Sequence, residues 1–418
     1  QQRVLKDISA DVAKASPMLR LLQGDVGSGK TVVAAVAAVQ AAENNLQAAI
    51  MAPTEVLAEQ HFVNFSHWLT PLGITIAWLS GKVKGKARDH ELEQIQNGQA
   101  NIIVGTHALF QSDVVFHDLG LIVIDEQHRF GVHQRLALRE KGRGNTPHQL
   151  IMTATPIPRT LTMSMYADMD ASIIDELPPG RTPVTTSVLP DSRRSEVIER
   201  IRSLCGNGAQ AYWVCTLIEE SEVLESQAAE VTLKDLTEAL PELRIALIHG
   251  RMNYPQKAET MEKFKAGNVD LLVATTVIEV GVDVPNATLM IIENSERLGL
   301  SQLHQLRGRV GRGSGESHCL LLYHPPLGEM SKQRLAVMRH SNDGFYIAEE
   351  DLKIRGPGEL LGSKQSGALQ FKIADLIRDA YMLTEVRTAS NALFESEPDK
   401  VDKIIRRWTS IPDQLSQV

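Results

Sequence analysis

GDVGSGKT, residues 24–31, lies behind the apolar run Met18, Leu19, Leu21 and Leu22 and ahead of TVVAAVAAVQAA. Gly24, four intervening residues and then Gly29-Lys30-Thr31 match GxxxxGK[ST]. In that pattern glycines let backbone N–H groups turn toward an anion, the lysine reaches the β and γ phosphates, and the threonine hydroxyl sits on Mg²⁺. Strong helix formers follow at once, so the positive end of a helix dipole points at the same anion. A plain glycine turn is the alternative, and the strand pattern before it and helix pattern after it speak against that. The glycines do not fit GxGxxG, which removes a Rossmann-type oxidoreductase.

Around this loop the chain alternates. Ala48 to Ala52, Ile74 to Leu79, Asn101 to Gly105, Leu119 to Ile124 and Gln149 to Thr153 have strand character, and several are apolar on both faces. Helical stretches such as Glu55 to Trp68 separate them, the signature of a parallel sheet covered on both sides. ELPPGRTPVTTSVLP, residues 176–190, holds four prolines in 15 positions and reads as a linker. Beyond it the alternation resumes to Tyr323, and after about Pro325 helix-like charged segments take over. The fold class expected is α/β: two tandem RecA-like P-loop domains with parallel sheets, residues 1–178 and 179–330, and a helical C-terminal segment, residues 331–418.

Size and composition agree. A chain of 418 residues, 43% apolar and 22% charged, is too long for one core and suits two or three globular domains. No apolar run approaches the roughly 20 residues of a membrane span, and no leader is visible ahead of Gln1-Gln2-Arg3. Cys205, Cys215 and Cys319 lack metal or redox spacing and read as buried thiols of a protein in a reducing cytosol. With 43 Lys and Arg against 51 Asp and Glu, the net charge of −8 confines any nucleic-acid surface to a local patch.

A phosphate loop needs a carboxylate for Mg²⁺ and a base for the attacking water. LIVIDEQH, residues 121–128, supplies both, because its four apolar residues end in Asp125-Glu126 at the C-terminal edge of a buried strand. Asp125 is assigned to the metal and Glu126 to the water. Farther on, QLRGRVGR, residues 305–312, carries three arginines and two glycines. Arginines from a second domain can reach across a cleft to a γ phosphate; a solvated helix end or a contact to a nucleic-acid backbone are the other readings.

The ordered set GDVGSGKT, APTEVLAEQH, VGTHAL, DEQH, TATPIPRT, IHGRM, ATTVIEVGVDVPNA and QLHQLRGRVGR resembles the motifs of superfamily 2 helicases and translocases. Within that group DEQHRFGV, IENSERLGLSQLHQLRGRVGRG and SNDGFYIAEEDLKIRGPGELLG resemble the bacterial RecG family of ATP-dependent DNA helicases. The motor of transcription-repair coupling factors is the nearest alternative; it typically has DEEH where Gln127 stands here.

The resemblance implies roles at matching positions. Gly27, Ser28, Gly29, Lys30 and Thr31 hold the triphosphate, Asp125 and Glu126 handle Mg²⁺ and water, and Arg309 and Arg312 are the finger positions. Asp283 and Gln305 belong to the nucleotide site, and Gln1 matches the adenine-recognition glutamine of a motif that the chain enters part-way. His128, Thr153 and Thr155 couple hydrolysis to movement, although a lone His after an acidic strand end is by itself more often a structural hydrogen-bonder. Pro53, Thr54, Thr106, His107, Thr275 and Thr276 follow strand ends and track the DNA backbone without reading bases; taken singly, each threonine is better read as a cap or turn residue, and only the motif set lifts it. Arg334, Arg339, Arg355, Lys364 and Gln365 fall in the segment resembling the family's translocation motif, although Arg355 reads equally as a salt-bridge partner. The expected cofactors are ATP and Mg²⁺. The expected partner is double-stranded and branched DNA, such as stalled forks and Holliday junctions, bound by a monomer in the bacterial cytoplasm at the nucleoid, with no membrane. Nothing corresponds to the family's N-terminal wedge domain, so a motor fragment is expected. A nucleotide-dependent module that switches binding to a protein partner is the contrasting hypothesis.

Overall fold

The computed structural model describes residues 1–81, 83–126, 138, 140–142, 146–157, 169–176, 182–216, 222–276, 284–313, 315–355 and 378–408. The first half runs α1 (Gln2–Val12), β1 (Leu19–Gly24), α2 (Lys30–Glu43), β2 (Gln47–Met51), α3 (Glu55–Leu69), β3 (Ile76–Leu79), α4 (Lys86–Gln96), β4 (Ile102–Gly105), β5 (Leu119–Asp125), β6 (His148–Thr153) and β7 (Asp170–Ile174). Its strands form one sheet in the order β3-β4-β2-β5-β6-β1-β7, every pairing parallel. β2, β4 and β5 are buried along their whole length, which explains sequences that are apolar in a continuous run rather than in alternation. Since the strands are parallel, the loops after β1, β2, β4, β5 and β6 all leave from one edge of the sheet, the edge where such folds hold ligands.

The second half runs β8 (Thr185–Pro190), α5 (Arg194–Gly206), β9 (Gln210–Val214), α6 (Glu222–Ala239), β10 (Ile245–Ile248), α7 (Tyr254–Lys265), β11 (Leu271–Ala274), β12 (Ala287–Ile292), α8 (Leu300–Arg307) and β13 (His318–Tyr323). The strand order β10-β11-β9-β12-β13-β8, again all parallel, repeats β3-β4-β2-β5-β6-β1 strand for strand. Two glutamines mark the repeat. Gln47 at the start of β2 donates to the carbonyls of Ile95 and Ala100 at 2.9 and 2.8 Å. Gln210 at the start of β9 donates to those of Phe264 and Val269 at 2.6 and 2.7 Å. Each staples the end of a helix to the strand that follows it. Local signals set the helix ends: Asn253 and Gln256 form a reciprocal capping box at the start of α7, with Lys263 and Lys265 in its last turn.

β8 corrects the linker expected at 176–190. Thr185 to Pro190 pair in register with His318 to Tyr323 at the sheet edge, where the β-branched run TTSV suits a strand and a terminal proline leaves no ladder bond broken. β8 also stands where β1 stands in the first sheet, yet the chain beyond it is Asp191-Ser192-Arg193 with no glycine loop. Of the two sheets, the first alone has a glycine loop after this strand.

α9 (Glu329–His340) packs on β8, and Arg307, 2% exposed at the end of α8, donates to the carbonyls of Met338 and Ser341 at 2.9 and 2.8 Å. These bonds make the stretch up to Gly344 part of a compact unit with both sheets, residues 1–156 and 169–344, instead of starting the helical tail at 331. The other unit comprises 157–168 and 345–418. Its described elements are the body of α10 (Gly344–Arg355), α11 (Leu383–Ser396) and α12 (Pro398–Trp408), the last two packed together. All three cysteines are free and buried, each thiol pushed up to about 12 by burial.

Candidate active site

The loop after β1 is shaped by left-handed glycines, Gly27 at φ 82° and Gly29 at φ 94°, conformations that a side chain would strain. Gly29 is the N-cap of α2. Its open side is covered by Gln1, whose amide nitrogen would lie 2.0 Å from any Cβ placed there and donates to the Ser28 carbonyl at 2.9 Å. Gln1 is thus seated directly on the phosphate loop. Lys30 is 9% exposed and donates to the carbonyls of Gly24 and Asp25 at 2.6 and 2.9 Å. Burial pulls its ammonium below the ordinary lysine range, against the attraction of Asp125, Glu126 and Asp25. Ser28 Oγ is buried with no hydrogen-bond partner among the described residues.

Asp125 ends β5 with 9% exposure. Burial alone would raise its carboxyl, but the His61 hydrogen bond and the charge of Lys30 hold it below the usual range. His61 Nε2 lies 2.8 Å from Asp125 Oδ2, and Oδ1 accepts the Glu126 N–H at 3.1 Å. Glu126 adopts φ 50°, a left-handed conformation that costs a non-glycine residue on the order of 1 kcal/mol or more and is concentrated at functional sites. Burial first, and then the neighbouring Asp125 charge, push its carboxyl up to about 7. Two adjacent carboxylates whose environments drive them apart suit a permanent anion beside a proton acceptor.

The second sheet supplies the opposite wall. Arg309, 9% exposed just beyond α8, lowers both Lys30 and Glu126 by its charge, so a guanidinium from residue 309 lies within electrostatic reach of the phosphate loop. Arg312 donates from Nε to the Gly308 carbonyl at 3.3 Å, folding back on its own segment. α8 itself rests on the first domain. His304 Nε2 lies 2.9 Å from Asp25 Oδ1, and Gln305 donates its amide to the Thr155 hydroxyl. Thr155 N–H in turn donates to Thr153 Oγ1 at 3.1 Å. β6, which ends at Thr153, lies between β1 and β5 in the sheet, so these threonines stand between the phosphate loop and Asp125.

The remaining sequence candidates separate. Thr54 caps α3, accepting from Leu57 N–H at 3.4 Å. Pro53 is half-buried and His107 is exposed, while Thr106 and Thr275 are each 1% exposed. The Thr106 hydroxyl has no partner among the described residues. All six candidates, Thr276 included, follow the C-terminal ends of β2, β4 and β11. Arg334 holds the Glu296 carbonyl at 2.8 Å, and Arg355 pairs with Asp351 at 3.0 Å within α10. Gln127, His128, Asp283, Lys364 and Gln365 lie outside the described residues. No local pattern singles out His61 and His304, since their partners lie 64 and 279 residues away.

No group of three His, Cys, Asp or Glu side chains among the described residues could hold a metal by itself. One carboxylate and one hydroxyl beside a glycine loop would fit a magnesium ion that takes its remaining ligands from phosphate oxygens and water.

Family models match along the chain. Residues 1–164 match the DEAD/DEAH box helicase model, 193–314 the helicase conserved C-terminal domain, and 341–407 the model of "ATP-dependent DNA helicase RecG, domain 3, C-terminal". The RecG of Haemophilus influenzae is 62% identical over 411 residues, 98% of this chain and 59% of its own. That of Escherichia coli K12 is 62% identical over 419 residues, covering 100% of this chain and 60% of its own.

The chain belongs to the RecG family.

It spans about three fifths of the length of these RecG relatives. A solved RecG bound to a three-way DNA junction superposes with a TM-score of 0.73 at 42% identity, covering 91% of this chain and 49% of that one. The helicase MrfA bound to DNA, at 18% identity and a TM-score of 0.62 over 80% of this chain and 50% of its own, shares the fold. In this RecG-family chain no helix among the described residues is long and apolar enough to cross a membrane.

Proposed function

We propose that this chain is the ATP-driven motor of a helicase that translocates on double-stranded DNA and remodels branched DNA, such as stalled forks and Holliday junctions, in recombination and repair. The observation that carries the proposal is one constellation drawn from both sheets: the Gly27 to Thr31 cradle with Lys30, the paired Asp125 and Glu126, and Arg309 acting on them by its charge. The junction-bound RecG, with its 42% identity, supports the DNA substrate. No observation favours the coupling-factor alternative.

In this reading the N–H groups of Gly27, Ser28 and Gly29 and the Lys30 ammonium bind the β and γ phosphates, replacing the carbonyls that Lys30 holds now. Thr31 and Asp125 hold Mg²⁺, which when bound neutralises phosphate charge. Glu126 takes the proton of the attacking water; a carboxyl near 7 is well matched to that work at neutral pH. Arg309 stabilises the charge that develops on the transferred phosphoryl group, with Arg312 behind it. Gln1, Gln305 and Asp283 complete the nucleotide site. His128 and the Gln305–Thr155–Thr153 chain of hydrogen bonds transmit closure of α8 on the phosphate loop, and Arg334, Arg355 and Gln365 carry it onward as movement. Pro53, Thr54, Thr106, His107, Thr275 and Thr276 meet backbone phosphates of DNA without reading bases. The protein works as a monomer in the bacterial cytoplasm, at the nucleoid.

The test is ATP hydrolysis with and without forked DNA, beside Glu126→Gln. Stimulation by DNA that vanishes in the variant supports the proposal. Hydrolysis unchanged by Glu126→Gln overturns the catalytic assignment, and hydrolysis indifferent to DNA overturns the claim that these domains sense duplex by themselves.

A further inference from the structure

His61 is 5% exposed on the inner face of α3. Its ring is stacked on Phe65 at 6.0 Å and 20°, and Phe65 is fully buried. The helix is anchored at its start by Thr54 and at its end by the buried Leu69, so the imidazole is delivered by a rigid mount. Nε2 meets Asp125 Oδ2 at 2.8 Å. Nδ1 is buried with no partner among the described residues. A hydrogen on Nδ1 would therefore be a buried orphan donor, whereas one on Nε2 has an anionic acceptor, and the arrangement selects the Nε2–H tautomer.

The consequence falls on the strand end. Both oxygens of Asp125 are engaged from the protein side, Oδ2 by His61 and Oδ1 by the N–H of Glu126, whose backbone is left-handed. A carboxylate held at both oxygens cannot rotate about its last bond, and the same two hydrogen bonds hold the turn that aims Glu126.

We infer that His61 is a positioning residue of the nucleotide site: it fixes the rotation of the Asp125 carboxylate and, through Asp125 Oδ1, the strained backbone of Glu126. The inference rests on the reading of Asp125 and Glu126 given above. It adds a donor from the third helix that touches neither nucleotide nor metal. Donors that orient metal-binding carboxylates typically change metal affinity or activity by about 10–100-fold when lost.

Three variants separate the hydrogen bond from the packing. His61→Phe keeps the stack on Phe65 and removes the donor. His61→Gln restores an N–H at the reach of Nε2. His61→Ala removes both. Each is compared for binding of a fluorescent ADP with and without Mg²⁺, for kcat and KM of ATP hydrolysis, and for thermal unfolding. The expected result is that His61→Phe loses about tenfold in the Mg²⁺-dependent part of ADP affinity and about 10–100-fold in kcat. Metal-free ADP affinity stays within a few-fold of wild type, and His61→Gln recovers most of both losses. His61→Gln behaving like His61→Phe, or His61→Phe keeping wild-type metal dependence, overturns the inference. Should His61→Ala fail to fold, the Phe and Gln pair decides. ADP binding is read without turnover, so failure of the hydrolytic reading itself, seen as Glu126→Gln retaining activity, stays distinguishable.

Discussion

Glu126→Gln should stabilise the nucleotide-free protein at the same time as it stops hydrolysis. A glutamate whose carboxyl lies near 4.5 in the unfolded chain is pushed to about 7 in the folded one. The folded state therefore binds the proton more tightly. The associated stability is fully present below pH 4.5 and is lost as pH rises through about 7. A displacement from 4.5 to about 7 corresponds to roughly 3 kcal/mol at 1.36 kcal/mol per unit. Glutamine, neutral at every pH, resembles the protonated acid and escapes the penalty. The difference in unfolding free energy between variant and wild type should thus be near zero at pH 4.5 and grow toward roughly 3 kcal/mol at pH 8. Titrating groups that do not interact with Glu126 are common to both proteins and cancel in the difference. Urea unfolding of both proteins across this pH range, followed by the fluorescence of Trp68 and Trp78 on α3 and β3 of the first sheet, measures it. A difference that is flat with pH, or one that shrinks as pH rises, refutes the argument that burial and the Asp125 charge burden this carboxylate.

Arg309→Ala should lower kcat by about 10³-fold or more while ADP affinity changes only a few-fold, since the guanidinium acts on charge that develops during transfer; single-turnover hydrolysis beside ADP titration checks the split. Gly344→Ala would put a Cβ 2.6 Å from Pro156 Cγ, 2.7 Å from His304 Nε2 and 2.8 Å from Asp25 Oδ1. It should break the His304 contact to the phosphate loop and destabilise by about 1–3 kcal/mol, read as a lower urea midpoint with reduced hydrolysis. Arg307→Met should strand the carbonyls of Met338 and Ser341 at a cost of about 1–3 kcal/mol for each. Hydrogen exchange should then rise at the C-terminal end of α9 before the rest of the second sheet.

Much of this protein is legible along the chain because its decisive signals are local. GxxxxGKT needs only neighbouring residues to announce a left-handed turn and a helix start, and LIVID announces a strand buried on both faces by its lack of alternation. The parallel sheets, the helices between them and the candidate catalytic loop follow from such runs, and His318 to Tyr323 has the same bounds in sequence and structure. Residues 185–190 misled because the prolines around them break periodicity, while what makes them a strand is β13, more than a hundred residues on. An edge position tolerates the missing donor, and no local pattern reveals an edge. Sequence alone also determined that a carboxylate pair and an arginine motif exist. Only the tertiary structure decided that Arg309 comes within electrostatic reach of Lys30 and Glu126, that His304 and Gln305 rest on the first domain, that Gln1 covers Gly29, and that His61 holds Asp125. Local backbone preference and hydrophobic period act over a few residues. These contacts join groups up to 279 residues apart, and they arise from how the helices and strand ends of two sheets pack together.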